Sequence, residues 1–163
     1  MTEFMHVSEG SERYHYTDSG LDNVWLVGGV ERIETPHGPA TSIHDLDELH
    51  HALAMDIIAS DRMSGQEFRF LRVELELSQK ALAHLLKAKE QQIHRWENDK
   101  HAIPGPAQVA LSSYYLESKN PDSRMKDLLD RYAELDTKPG KTAERFFALT
   151  NDQWSPTKTC EAA

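Results

Sequence analysis

Between Leu77 and Pro104 the chain reads LSQKALAHLLKAKEQQIHRWENDKHAIP, and this stretch holds the side chains best suited to recognition chemistry. On a helix that begins near Glu90, Gln91 and Arg95 lie one turn apart and share a face with His94. A glutamine amide can pair bidentately with adenine, and a guanidinium with O6 and N7 of guanine. Glu90 has two readings of equal weight: it can accept from cytosine N4, or its charge can simply favour the helix N-terminus. Gln79, the free amides at the start of its helix, Lys89 and Lys100 suit phosphate oxygens, contacts that position a protein on a duplex without specifying sequence. Taken singly, Lys87, Lys89 and His94 are equally well explained as solvated surface.

Two short helices and a tight turn are needed to hold these groups. Ser78 can cap the first helix by accepting from the free amides of the next turn. With Gln79 as the first position of the unit, Ala83 is the fifth, where two crossing helices leave room for little more than a methyl group. Leu82, Leu86, Ala88, Ile93 and Trp96 fall on the inward side. Lys89, Glu90, Gln91, His94 and Arg95 then project from the outer side of the second helix, the side that enters the major groove in helix-turn-helix units. Pro104 marks where the following helix can begin.

In these residues the chain resembles the Cro/C1-type (XRE) repressor family. The pattern LSQxxLAxxLGVSxxxIxRWExG is matched at Leu77, Ser78, Gln79, Leu82, Ala83, Leu86, Ile93, Arg95, Trp96 and Glu97. The chain departs from it at Lys87, where the family has Gly, and at Lys89, where it has Ser. A left-handed turn at Lys87 therefore carries some strain, and both departures add positive charge. The resemblance implies that Gln91 and Arg95 occupy base-contacting positions and that Arg72 and Glu97 form an internal salt bridge fixing the reading helix. It also implies a homodimer on a palindromic operator, made by the C-terminal domain. Tyr114, Tyr115, Leu116, Leu128, Leu129 and Tyr132 suit either that surface or the core, since apolar residues are typical of both.

Ahead of this unit, YHYTDSGLDNVWLVGGVERIETPHGPATSIHDLDEL is similar to the MqsA-type antitoxin arrangement, in which a small zinc-ribbon-like domain precedes a helix-turn-helix domain. Members of that family carry CxxC pairs around the hairpin, and this chain has one cysteine, Cys160. No zinc site is carried over, and no cofactor is expected. His44, His50 and His51 lie close together, with Asp47 and His51 at i,i+4 spacing, but structural zinc needs four converging ligands. The expectation is a metal-free sheet.

The wider pattern gives an α+β chain. Strand-like segments are Tyr14–Thr17, Asn23–Val27 and Val30–Thr35, with Gly28-Gly29 expected to turn the last two into a hairpin. A further short strand is expected near Ala40–Ile43, after a loop from Pro36 to Pro39. Tyr16, Leu21, Val24, Leu26, Val30 and Ile33 are expected to pack on a helix from Asp45 to about Ser60, whose apolar positions are Leu46, Leu49, Leu53, Ile57 and Ile58. A second helix runs from Ser64 to Glu76 with a capping box at Ser64 and Glu67, its apolar positions being Phe68, Leu71, Val73 and Leu75. After the central unit come helices at 104–116 and 122–135, making five from Ser64 onward.

The domain reading is therefore an N-terminal sheet-plus-helix domain over 1–62, an all-α five-helix domain over 63–136, and a tail over 137–163. Residues 1–11 are polar and expected to be disordered, 138–141 is expected as a linker, and Phe146, Phe147, Leu149 and Trp154 are expected to dock part of the tail.

The net charge is −9, at first sight unfavourable for nucleic acid, but the acids are unevenly spread. Residues 1–63 hold 12 acids and 3 bases, whereas residues 64–120 hold 7 and 8. Lys80, Lys87, Lys89, Arg95 and Lys100 can form a local basic face, with weak non-specific binding and a modest salt dependence. One cysteine excludes an intrachain disulfide, and no apolar run approaches a membrane span, so a cytoplasmic protein with no membrane partner is expected. No nucleophile elbow, phosphate loop or H-E-x-x-H sequence occurs, so an enzyme is the weakest reading. The leading one is a regulator that binds double-stranded DNA at its own promoter. The alternative is an antitoxin module whose acidic N-terminal domain masks a basic toxin.

Overall fold

The computed structural model describes residues 13–122, 124–134, 146–150 and 153–157. It is an α+β chain. Strands β1 (Arg13–His15) and β2 (Trp25–Val27) form one antiparallel hairpin, and β3 (Val30–Thr35) and β4 (Gly38–Ile43) a second. Helices α1 (Leu46–Ala59), α2 (Gly65–Glu74), α3 (Gln79–Leu85), α4 (Glu90–Glu97), α5 (Gly105–Ser118) and α6 (Met125–Glu134) follow, and then a third hairpin of β5 (Phe146–Thr150) and β6 (Gln153–Thr157). Among the described residues no helix is long and apolar enough to cross a membrane.

The hairpin expected at Gly28-Gly29 is not formed. β3 finds its partner across the two-residue turn Pro36-His37, with Thr35 opposite Gly38 and Val30 opposite Ile43. That turn is closed locally: the Thr35 hydroxyl donates to the Gly38 carbonyl at 2.7 Å, and Gly38 takes φ 110°, which suits a residue without Cβ. β2 pairs instead with β1, His15 opposite Trp25, and the two rings stack at 4.1 Å. Gly28 and Gly29, at φ 82° and 69°, link the two hairpins.

This pairing changes the expected core. Tyr16 and Leu21 are buried and Val24 packs against the core, but Leu26 and Val30 are only half-buried, and Ile33 is 43% exposed. The second hairpin shows most of its surface to solvent, so Ile33 has no helix to pack on. Leu46, at the first turn of α1, is likewise exposed, and α1 turns inward through Ala54 and Ile57. On α2, Phe70 is buried and Val73 is 52% exposed, because the inward face runs through Phe68, Leu71 and Arg72 rather than on to Val73. Tyr114 and Tyr115 belong to the core, while Leu116 is exposed. The side chains of Leu128, Leu129 and Tyr132, the docking of Phe146, Phe147, Leu149 and Trp154, the N-terminal tail and the linker at 138–141 lie outside the described residues.

One apolar cluster runs from Leu21, Ala54 and Ile57 through Met63, Phe68, Phe70 and Leu71 to Leu82, Ile93, Trp96, Leu111 and Tyr115. α2 crosses its centre and starts with the expected capping box: Ser64 Oγ accepts from Glu67 N, and Glu67 Oε2 accepts from Ser64 N. Its first residue is Gly65, where an added Cβ would collide with the carbonyl oxygen of Trp96 and stand 2.7 Å from that of Glu97. Gly65 N also donates to Asp99 Oδ1 at 2.8 Å. The N-terminus of α2 thus sits directly on the C-terminus of α4.

Three successive helices end in the same way without glycine. Glu76, Lys87 and Asp99 take φ 55°, 52° and 53° at the positions after the caps of α2, α3 and α4. In each case the next amide reaches back to close the helix: Leu77 N to Arg72 O, Ala88 N to Ala83 O and Lys100 N to Arg95 O, at 3.1, 2.9 and 2.9 Å. The left-handed conformation costs a non-glycine residue about 1–2 kcal/mol, so the connections on both sides of α3 and α4 hold strain.

Two stability predictions follow from this backbone. Gly65→Ala is expected to lower stability by about 1–3 kcal/mol in urea denaturation, because both opposing atoms are main-chain carbonyls with little room to give. Glu76→Gly is expected to raise stability by up to about 1 kcal/mol, since relief of the left-handed strain exceeds the added freedom of the unfolded chain; a lower midpoint would refute the strain assignment.

Candidate nucleic-acid interface

α3 and α4 are joined by the turn at Lys87. Ser78 Oγ caps α3 by accepting from Ala81 N at 3.0 Å, and Ala83 is buried where the two helices meet. Lysine has no side-chain acceptor to cap α4 from Lys89. Gln92 replaces half of that function, its Oε1 accepting from Lys89 N at 2.8 Å. The expected left-handed conformation at Lys87 is present, and its ammonium is engaged within the fold: Nζ donates to the Ala133 carbonyl near the end of α6. His84 and Glu134 meet at 3.1 Å in the same region. α6 is thereby tied to the turn between α3 and α4.

α4 divides cleanly into two faces. Ile93, Trp96 and Glu97 are buried, with the Trp96 ring edge-on to Phe68 at 6.0 Å. Glu90, Gln91, His94 and Arg95 are exposed, as are Lys89 and Lys100 at either end and Lys80 on α3. Among the described residues, none of these seven side chains makes a hydrogen bond or ion pair. Gln91, His94 and Arg95 share one stripe, which presents an amide, an imidazole and a guanidinium to solvent.

Behind this stripe lies a buried polar network. Arg72 of α2 meets Glu97 of α4 in a fork: Nε donates to Oε1 at 2.5 Å and Nη2 to Oε2 at 3.0 Å. The remaining nitrogen, Nη1, donates to the Leu77 carbonyl at 2.8 Å, just before α3. Gln79 completes the set, its Nε2 donating to Glu97 Oε2 at 2.7 Å. The amide of Gln79 has two hydrogens, and this bond uses one of them. α2, the start of α3 and the end of α4 are locked by four side-chain hydrogen bonds around one carboxylate and one guanidinium.

Gln79's bond to Glu97, the Asp99 contact to Gly65 and the Gln92 cap were not anticipated. Only the last had a sequence signal, Gln92 standing three residues after the cap position as in a capping box. The other two join residues 18 and 34 positions apart, which no local spacing encodes.

The N-terminal histidines serve as connectors. His50 Nδ1 donates to Glu74 at 2.7 Å, and its Nε2 meets the buried Tyr16 hydroxyl at 2.8 Å. Burial, with Asp18 and Glu74 nearby, pushes the Tyr16 hydroxyl above the usual tyrosine pKa. His51 Nδ1 meets Tyr115 at 3.0 Å. Among the described residues no three His, Cys, Asp or Glu side chains converge in a metal-holding group.

Arg72→Ala is expected to cost about 3–5 kcal/mol in denaturant unfolding, because it strands the buried Glu97 carboxylate. Arg72→Met with Glu97→Leu is expected to recover most of that loss, since an apolar pair leaves no buried charge. Equal losses in the single and double variants would show that the fork carries no special constraint.

Comparison with protein-family models, characterised proteins and solved structures finds no match to this chain.

Proposed function

We propose that the chain is a sequence-specific DNA-binding regulator in which α3 and α4 act as a helix-turn-helix, with α4 laid in the major groove. The observation that supports this reading is the contrast between the two faces of α4. One is immobilised by Ile93, Trp96 and the Glu97 fork, and the other presents Gln91, His94 and Arg95 with no hydrogen-bond or ion-pair partner among the described residues. A reading helix needs both properties: hydrogen-bonding groups left unspent by the protein, and a backbone that cannot tilt away from the base edges.

In this reading Gln91 pairs with adenine and Arg95 with guanine, each contact supplying about 1–3 kcal/mol of discrimination. His94 and Glu90 complete the base-facing set. Lys89 and Lys100 flank α4 and contact phosphates, with the second amide hydrogen of Gln79 beside them. Arg72 and Glu97 position α4 and touch no DNA. One short helix reads too few base pairs for useful specificity, so the protein binds a palindromic operator as a homodimer and represses its own promoter. An acid-rich N-terminal portion fits the further role of antitoxin to a basic toxin.

The test is selection from a random duplex library with the full chain at physiological salt, wild type beside Arg95→Ala and Arg72→Met with Glu97→Leu. Wild type is expected to enrich a palindrome, Arg95→Ala to relax it at one symmetric position, and the fork variant to lose affinity across all positions. Enrichment of no sequence by a folded wild type would sink the proposal.

A further inference from the structure

Between the two N-terminal hairpins lies a cleft of about 350 Å³, lined by Arg13, Tyr14, Gly28, Val30 and Arg32. Its volume falls within the range of small-molecule sites. The first 63 residues contain only three basic side chains against 12 acids, and two of the three meet here.

The strand pairing explains the convergence. Arg13 stands opposite Val27, next to Gly28, at the end of the first hairpin where the chain leaves for the second. Arg32 follows Val30 by two residues on β3, so both point to the same side of that hairpin. The Gly28-Gly29 link, with both residues at positive φ, brings the two walls together in one short step. Had Gly28-Gly29 been a hairpin turn, β2 and β3 would be paired and no cleft would separate them.

Both arginines are exposed, and among the described residues neither forms a hydrogen bond or ion pair. Glu34 lies on the same face of β3 as Arg32, yet it neither pairs with that guanidinium nor lines the cleft. Two like charges directed at one space repel, and an anion between them removes that repulsion. Guanidinium forks also match planar carboxylate and phosphate oxygens better than a point charge does. Tyr14 and Val30, both half-buried, supply an apolar wall beside the charges.

We propose that this cleft binds a small molecule bearing an oxyanion, phosphate or carboxylate, gripped by Arg13 and Arg32 with its apolar part against Tyr14 and Val30. The site is separate from the α4 face and stands whether or not α4 reads DNA. It gives the N-terminal hairpins a task of their own, ligand recognition, which the acid-rich surroundings restrict to anions able to reach this one cationic cleft.

Calorimetric titration of the full chain with phenyl phosphate, and separately with benzoate, tests the assignment. At least one probe is expected to bind at a single saturable site, and the one that binds identifies the head group. Arg13→Gln and Arg32→Gln are each expected to weaken it about tenfold or more, the range for a lost charge-assisted hydrogen bond, while Arg62→Gln leaves it unchanged. Thermal unfolding of each variant separates lost binding from lost folding, and Arg13→Lys and Arg32→Lys, which keep the charge but not the fork, are expected to bind with intermediate affinity. Saturable binding of neither probe, or equal affinity in the Gln variants and in Arg62→Gln, overturns the proposal.

Discussion

Glu97 is a carboxylate at 2% side-chain exposure, and most of the helical arrangement follows from what it takes to keep it there. A charge removed from water costs several kcal/mol unless geometry and hydrogen bonds replace its hydration. Glu97 receives three side-chain donors, two from Arg72 and one from Gln79, and Arg72 places its remaining donor on the Leu77 carbonyl. These partners come from α2, from the approach to α3 and from α3 itself, so the carboxylate is satisfied only when all three stand in one relative arrangement. A hydrophobic contact tolerates sliding; a forked pair with a third donor does not. The network is therefore a device for orientation more than for net stability, and the orientation it sets is that of α4.

The same end of α4 is constrained a second time, by backbone. Gly65 allows the start of α2 to lie against the Trp96 and Glu97 carbonyls, and Asp99, in a left-handed conformation, turns its carboxylate onto Gly65 N. A carboxylate at a helix N-terminus is favoured by the partial positive charge there, which offsets part of the strain at Asp99. At the opposite end, the strained Lys87 uses its side chain to hold the Ala133 carbonyl of α6. Of the three helix ends closed by a non-glycine residue at positive φ, two thus carry a side-chain bond as well, where glycine would offer the conformation but not the bond.

How much of this was legible in the sequence depends on the range of the interaction. The caps at Ser64 and Ser78, the starts of α3 and α4, and the inward positions Leu82, Ala83, Ile93 and Trp96 follow from spacing within one or two turns, and the structure has them. The N-terminal pairing is not legible in the sequence because a Gly-Gly pair satisfies two different roles, hairpin turn or inter-hairpin link. What decides between them is the availability of other partners, here β1 for β2 and β4 for β3. Val73 departs from its expected inward position for a related reason: its helical spacing allows an inward or an outward position, and the buried Arg72 beside it claims the inward one. Local spacing does not mark Arg72 as a core position; its pairing with Glu97, 25 residues away, follows only from the family resemblance.

The distribution of charge gives the two exposed features different demands on their partners. Around α4 the chain is close to neutral, so in the proposed reading a duplex would gain little long-range attraction and binding would rest on short-range hydrogen bonds whose strength falls steeply with misalignment. Such a surface gains from rigidity, and the Glu97 network with the Gly65 contact supplies it. At the hairpin cleft the surroundings are acidic and the cations few. There, attraction would be confined to the cleft that Arg13 and Arg32 both line, and the acid-rich N-terminal portion would repel polyanions. If α4 reads DNA as proposed, the acid-rich N-terminal portion does not compete with it for the duplex. Its charge would keep a duplex away from the hairpins while leaving the cleft of Arg13 and Arg32 to small anions.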